Sequence, residues 1–183
     1  MKNVNKKLLI VTIVALVLAV SCVVGTFAYL AMKTESITNV FTSGNVKITL
    51  TETPDLNLKM VPGETITKDP VVTVLGDSET SWVFVKITKS TDLDTYIEYS
   101  VATGWTEVEA GVWGREVTAS AEDQAFQVLT NNTVTVKSGL TSAQMEAVTE
   151  GEADVSLTLT AYAIQKDGFE TLADAWTEAK KLG

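Results

Sequence analysis

Few side chains of this 183-residue sequence could perform acid-base or metal chemistry. It holds no histidine, and its single cysteine is Cys22. The region beyond Cys22 therefore offers no imidazole base, no thiolate nucleophile and neither of the common nitrogen and sulfur ligands of zinc. The carboxylates Asp92, Asp94 and Glu98 would suit calcium, or they form an ordinary solvated loop. The sequence predicts a protein that is not an enzyme and has no cofactor and no metal site.

The N-terminus has the layout of an export signal. Three lysines among the first seven residues precede an uncharged, mostly apolar run over residues 8–24. Thr26 and Ala28 then supply small side chains at the third and first positions before a scissile bond. We therefore expect residues 1–28 to be a signal peptide, with a signal peptidase cutting between Ala28 and Tyr29.

Two other outcomes of processing stay open at this point. The apolar run extends to Met32, which at ~1.5 Å per residue is long enough for an uncleaved anchor across ~30 Å of hydrocarbon. Residues 19–22, Ala-Val-Ser-Cys, also form an imperfect lipobox that would make Cys22 a lipidated N-terminus. All three outcomes predict an exported protein, in the extracellular matrix or at the cell surface.

The charge is strongly acidic outside this N-terminal region. All 23 Asp and Glu residues follow Ala28, whereas three of the 14 Lys and Arg residues precede it, so the remainder carries 11 minus 23, or −12. A protein with this charge repels polyanions, which excludes nucleic acid and disfavours anionic lipid as partners. Because no cysteine lies there, the fold depends on a hydrophobic core and not on disulfides.

Apolar and polar residues alternate over much of the chain, as they do in half-buried strands. The alternation is plain at residues 46–51 and again at Val83, Val85 and Ile87. Further strands are predicted at residues 71–75, 97–101, 105–109, 112–117, 126–129, 134–137 and 155–165. The 183 minus 28, or 155, residues after the signal suit one domain.

Turn-forming pairs separate these strands, at Pro62-Gly63, Gly76-Asp77, Ala110-Gly111 and Asn131-Asn132. Short loops of this kind typically join antiparallel neighbours, and many short, evenly spaced strands are typical of a β-sandwich or jelly roll. The expected fold is therefore all-β. In such a fold, Trp82, Trp105 and Trp113 more often pack in the interior than form a carbohydrate-stacking platform.

Two helices interrupt the strand pattern. A short one is predicted at residues 142–149, with Thr141 and Gln144 spaced as a capping box. A C-terminal amphipathic helix is predicted from Phe169, Leu172, Trp176 and Ala179, which recur at helical spacing. Thr171 can cap it, with Asp174 at the third position. We expect this helix to cover one edge or open end of the sandwich.

Several segments together resemble the TasA and camelysin family of bacterial matrix fibre proteins. They are GTFAY at residues 25–29, GNVKITL at 44–50, PGETITKDP at 62–70, WVFVKI at 82–87 and AYAIQKDGF at 161–169. The similarity covers nearly the whole chain, in order. It implies a jelly-roll-like antiparallel β-sandwich that is secreted through a dedicated signal peptidase and polymerises into extracellular biofilm-matrix fibres, together with an anchoring or minor fibre subunit.

The resemblance also implies donor-strand exchange, in which an N-terminal segment of one subunit completes the sheet of the next. An open sheet edge is a template for such an added strand. Within residues 29–43, the candidate donor strand is Ser36, Ile37, Thr38, Asn39, Val40 and Phe41, with Ile37 and Phe41 on one face and Ser36, Thr38 and Val40 on the other. An ordinary first strand of the chain's own sheet is the alternative. Residues 44–183 would form the jelly-roll domain.

Two other functions remain open. Camelysin is described within its family as a metallopeptidase, so a cell-surface hydrolase is one alternative, although the sequence has no His-Glu-x-x-His segment. A monomeric adhesin or a membrane-anchored envelope protein is the non-enzymatic alternative.

Overall fold

Alternating Val, Ile and Thr residues form most of the secondary structure in the computed structural model, which describes residues 45–53 and 60–182. These positions belong to one compact unit, Thr42–Gly183. Over the described residues the chain forms ten strands: β1 Ile48–Thr51, β2 Thr65–Thr67, β3 Val71–Val74, β4 Ser81–Lys89, β5 Ile97–Glu98, β6 Thr106–Glu109, β7 Val112–Val117, β8 Gln124–Gln127, β9 Thr133–Val136 and β10 Leu157–Gln165. The strands predicted at residues 46–51, 105–109 and 155–165 began one or two residues too early, and β2 was not predicted because three residues are too few to show a period.

Helices form where the caps predict them. The α-helices over the described residues are α1 Leu93–Tyr96, α2 Ser142–Glu150 and α3 Leu172–Ala179. The Thr141–Gln144 capping box is present at α2, and the Thr171 hydroxyl accepts from the Asp174 amide at α3. Both predicted helices are confirmed, whereas the short α1 was not predicted. None of these helices is long and apolar enough to cross a bilayer, a statement limited to the described ranges.

All strand pairs within the described ranges are antiparallel, which confirms the predicted pairing direction. The strand orders are β1-β3-β8, β10-β4-β7-β6 and β2-β9-β5. The expectation that neighbours in sequence pair with each other is wrong for most of them, because among the described strands β6 and β7 are the consecutive pair. The predicted turn at Gly76-Asp77 instead carries the chain from β3 in one sheet to β4 in another.

Two of these sheets join end to end. The Val128 amide donates to Pro70 O at 3.0 Å and the Lys68 amide to Asn132 O at 2.8 Å, so β2 and β3 together run along β8 and β9. Residues 100–102 continue β5 on the far side, since Ala102 N donates to Val128 O and Thr130 N to Ser100 O. The result is a second four-stranded layer, β1, β2–β3, β8–β9 and β5, facing the layer β10-β4-β7-β6.

The main core lies between these two layers. Val83, Val85 and Ile87 on β4 meet Val72, Val74 and Val136 from the opposite layer. These residues are at most 5% exposed, so the period-2 pattern of β4 correctly identified its inner face.

A second hydrophobic cluster lies on the other face of β4. Trp82 and Phe84 pack there under α3, against Ala175, Trp176 and Ala179. The Trp176 ring lies 5.3 Å from the Phe84 ring centroid. The helix therefore covers the outer face of the sheet, and the expectation that it covers an edge or open end is wrong. The physical reason is that β4 carries large apolar residues on both faces, and the outer ones need cover.

The predicted interior roles of the tryptophans agree with this core. Trp82 and Trp105 are each 7% exposed, and Trp113 packs against the main core. Indole rings buried in this way are not available as a flat stacking platform for a sugar.

Candidate assembly site

The structure places the sequence-predicted carboxylates in local structural roles. The Asp94 carboxylate lies 2.6 Å from Lys89 Nζ, and Asp92 Oδ2 accepts from the Asp154 amide at 3.0 Å. Glu98 is on β5, opposite Thr135. Across residues 45–53 and 60–182, no group of three or more acidic, His or Cys side chains is arranged to hold a metal ion. These contacts favour the solvated loop that was the alternative to calcium binding.

The bond between Ala28 and Tyr29 and the segment Ser36–Phe41 lie outside the described residues. The described ranges do include a long sheet edge, on strand β10.

Among the described strands, β10 lies at the edge of its sheet, and the side that does not pair can be assigned from its bonds to β4. At the two ends of the pair, Ser90 N donates to Ser156 O at 3.0 Å and Lys166 N to Thr80 O at 2.8 Å. In an antiparallel ladder every second residue bonds to the partner strand, and the residues that alternate with them direct their N–H and C=O groups away from it. Here the even-numbered residues, from 156 to 166, bond to β4 and the residues that flank it. Five residues therefore present their main-chain groups at the open side: Leu157, Leu159, Ala161, Ala163 and Gln165.

The two edges of this sheet differ in a way that matters for strand addition. Strand β6, at one edge, is four residues long, carries Glu107 and Glu109, and has a bulge between them. Short length, charge and bulges are the devices by which proteins protect an edge from pairing. Strand β10, at the other edge, is nine residues long and pairs without a bulge. It contains no charge, proline or glycine.

The open side of β10 faces a seam between the two layers. Strand β1 lies beside β10 there, and the two strands do not pair within the described structure. Beyond the end of β1, the seam widens into a cleft of about 270 Å³. It is mainly apolar and includes side chains from both layers: Met60, Ile66, Leu93, Ile97, Val134 and Leu157. This volume is below the range typical of small-molecule pockets, so individual apolar side chains are its natural occupants.

Polar contacts fix the end of β1 next to the cleft. Lys68, whose side chain is 12% exposed and lines the cleft, pairs with Glu52 at 2.9 Å. Thr53 donates its amide to one oxygen of Asp69 at 3.0 Å and its hydroxyl to the other at 2.5 Å. These hydrogen bonds lower the pKa of the Asp69 carboxyl below its ordinary value. These contacts hold the end of β1 in place at the border of the cleft.

The arrangement can bind an extended segment. Main-chain groups of β10 would supply hydrogen bonds, and the cleft would receive alternate side chains of the added strand. The sequence contained a signal for this edge, because residues 157–164 form a long strand pattern with no charge. It did not show which strand would be last in its sheet.

Comparison of the chain with family models, with curated proteins and with solved structures found no match.

Proposed function

We propose that this chain is an exported structural subunit that polymerises by donor-strand exchange into extracellular matrix fibres, as in the TasA and camelysin family. The observation that carries the proposal is the long, uncharged edge of β10 beside an apolar cleft, where β4 is the pairing partner of β10 among the described strands. In a monomeric surface protein such an edge is an aggregation hazard that sequence features normally suppress. Its presence here, opposite a protected β6 edge, favours regulated addition of a strand on one side.

The donor in this proposal is Ser36–Phe41, freed at its N-terminal end by cleavage between Ala28 and Tyr29. Its main chain pairs with β10, and Ile37 and Phe41 enter the cleft. Burial of an apolar side chain of this size contributes ~1.5–3 kcal/mol. Two such side chains would strengthen a junction by several powers of ten, because ~1.4 kcal/mol is a factor of ten in affinity.

The contact joins two different surfaces, the donor segment of one copy and the seam of another. A head-to-tail contact of this kind does not close on itself unless the rotation returns to the start, so it produces filaments. The net charge of −12 after residue 28 opposes non-specific clustering of copies, which leaves strand addition as the specific attraction.

A jelly roll is part of the same proposal. In that topology the first strand lies beside the eighth, the second beside the seventh, and the third beside the sixth. When β2–β3 and β8–β9 are each counted as one strand, the pairs β2–β3 with β8–β9 and β4 with β7 follow this rule. Strand β1 lies beside the last strand, β10, without pairing to it. Cα atoms of β1 approach within 8 Å of those of β10, which is too close for a strand between them at ~4.8 Å spacing on each side, so a donor strand would complete the sheet beyond the end of β1, beside the cleft.

The test is electron microscopy of the exported chain carrying Ile37→Asp and Phe41→Asp together. We expect a folded protein without fibres, because the two carboxylates would have to enter an apolar cleft unpaired. The matched control, Ser36→Asp with Thr38→Asp, adds the same charge to the opposite face of the segment and should still form fibres. Fibres of normal length from the Ile37 and Phe41 variant would show that this segment is not the donor.

A further inference from the structure

Arg115 is the single arginine of the chain, and it occupies an unusual place. It lies on β7 opposite Val83, which is fully buried in the main core. Cross-strand partners project from the same face of a sheet, so Arg115 projects into the space between the two layers. A charged side chain directed inwards needs a specific reason to be there.

Aromatic rings from both layers hold the guanidinium. Its Cζ lies 3.8 Å from the ring centroid of Phe126 on β8 and 5.3 Å from that of Trp105, which precedes β6. The Trp105 indole donates to Gln127 O at 2.9 Å, which fixes the ring relative to β8. The guanidinium thus lies between a buried ring, Trp105, and a partly buried ring, Phe126, with favourable cation–π contacts.

The guanidinium nevertheless lacks the partners that a desolvated cation requires. Its Nε is buried without a hydrogen-bond partner, and within the described ranges no Asp or Glu forms an ion pair with it. Burial lowers the pKa of Arg115 below its ordinary value, which reports the cost of this desolvation. Nε is enclosed by the protein, so a ligand can reach only the outer nitrogens, Nη1 and Nη2, and an acceptor that pairs with them would offset part of the cost of desolvating the cation.

The distal end of the side chain is the accessible part. Arg115 is only partly buried, and Gly104 borders its end. A Cβ at position 104 would lie 3.4 Å from Nη1, so the absence of a side chain there leaves room beside the guanidinium. A planar acceptor can therefore approach Nη1 and Nη2 from outside the sandwich.

We propose that Arg115, between Trp105 and Phe126, is a binding site for a single carboxylate group. A guanidinium presents two parallel N–H groups that match the two oxygens of a carboxylate, and it stays protonated at all physiological pH values. A polyanion is disfavoured because the surrounding protein is strongly acidic. The carboxylate comes from a small organic acid or from an Asp or Glu side chain of a second copy of this chain. The site stands independently of fibre formation, because it lies on the β6 side and not at the β10 seam.

The single arginine makes the test specific, since the ¹⁵N-labelled exported chain has one Arg Nε–Hε signal in its NMR spectrum. We expect acetate to shift this signal in a saturable way at constant ionic strength, while chloride at equal concentration leaves it in place. The Trp105 indole signal should move together with it. An unmoved Arg115 signal, or an equal response to chloride, overturns the proposal.

Two variants test whether the guanidinium itself binds the carboxylate. Arg115→Gln removes the charge, and acetate should then leave the Trp105 indole signal unchanged. Arg115→Lys keeps the charge without the two parallel donors, and its affinity for acetate should fall by roughly tenfold or more. An unchanged affinity in the lysine variant would contradict two-oxygen recognition.

Dilution distinguishes the two sources of the carboxylate. If a second copy supplies it, the Arg115 signal of the acetate-free protein should depend on protein concentration. This dependence should persist in the Ile37→Asp, Phe41→Asp variant. If a small acid supplies the carboxylate, the Arg115 signal should respond to added acetate and should not change when the protein is diluted.

Discussion

Trp176 on α3 donates its indole N–H to the carboxylate of Glu109 on β6, with 2.9 Å between Nε1 and Oε2. Lys180 Nζ lies 3.3 Å from the same oxygen. These contacts fasten the C-terminal helix to the edge strand β6 of the sheet whose outer face the helix covers. They also connect Glu109, one of the two charged residues of edge strand β6, to Trp176 in the second hydrophobic cluster.

This contact predicts a specific pH dependence. The hydrogen bond from Trp176, followed by the contact with Lys180, lowers the pKa of Glu109 below its ordinary value of 4.5. A carboxyl whose pKa is lowered by folding contributes stability above the unfolded value and loses it as the pH falls through the folded value. We expect Glu109→Gln to be less stable than the parent above about pH 5, with the difference shrinking below 4.5. Urea denaturation between about pH 7 and pH 3 measures it, and a difference independent of pH would contradict this account.

The second prediction concerns the close approach of α3 to the sheet at Gly114 on β7. A Cβ at this position would lie 2.7 Å from Leu172 Cδ2 and 2.8 Å from the Phe84 ring. The Phe84 ring is fully buried and cannot move aside. Gly114→Ala should therefore destabilise the fold by about 1–3 kcal/mol, the usual cost of overpacking.

Thermal denaturation of Gly114→Ala against Gly139→Ala measures this effect. A Cβ at Gly139 would meet nothing within 4 Å, so the control should be neutral or slightly stabilised. Equal melting temperatures for the two variants would mean that α3 does not pack against Gly114 as described.

Local patterns in the sequence predicted most elements but not their partners. The strand Val112–Val117 and the two helix caps were predicted as found, because strand period and capping are properties of neighbouring residues. The position of α3 was not, because covering Trp82 and Phe84 depends on residues about 90 positions apart. The aromatic contacts of Arg115 also join separate strands, so no pattern among neighbouring residues could predict them.

The candidate site was predictable to a similar extent. The donor segment was chosen from its own alternation, which is a local property. The acceptor edge depends on β10 having a partner on one side only, which follows from the strand order and not from residues 157–165 themselves. The cleft next to it gathers side chains from both layers, and it could not be foreseen from any one strand.

The last prediction uses proline to test the β10 edge. Ala161 directs its N–H away from β4, whereas Thr160 is in the pairing position opposite Lys86. Proline lacks an N–H and is tolerated on the open side of an edge strand but not where a ladder bond is made. Ala161→Pro should therefore keep the fold and lose fibres, whereas Thr160→Pro should lose stability by breaking the β10–β4 ladder. Circular dichroism and electron microscopy of the same samples report fold and polymerisation.

A charge variant keeps this test decisive if proline disturbs the strand. Thr160 has an exposed side chain on β10, and Thr160→Lys places on this edge the kind of charge that natural proteins use to block pairing. Ala125 is also exposed, on β8, which pairs with β3, so Ala125→Lys changes the net charge by the same amount elsewhere on the surface. If β10 is the acceptor edge, Thr160→Lys forms fewer or weaker fibres, and Ala125→Lys forms the same fibres as the parent. Normal fibres from both Thr160→Lys and Ala161→Pro would place the acceptor elsewhere, because a strand that adds to β10 cannot avoid both the missing N–H and the added charge.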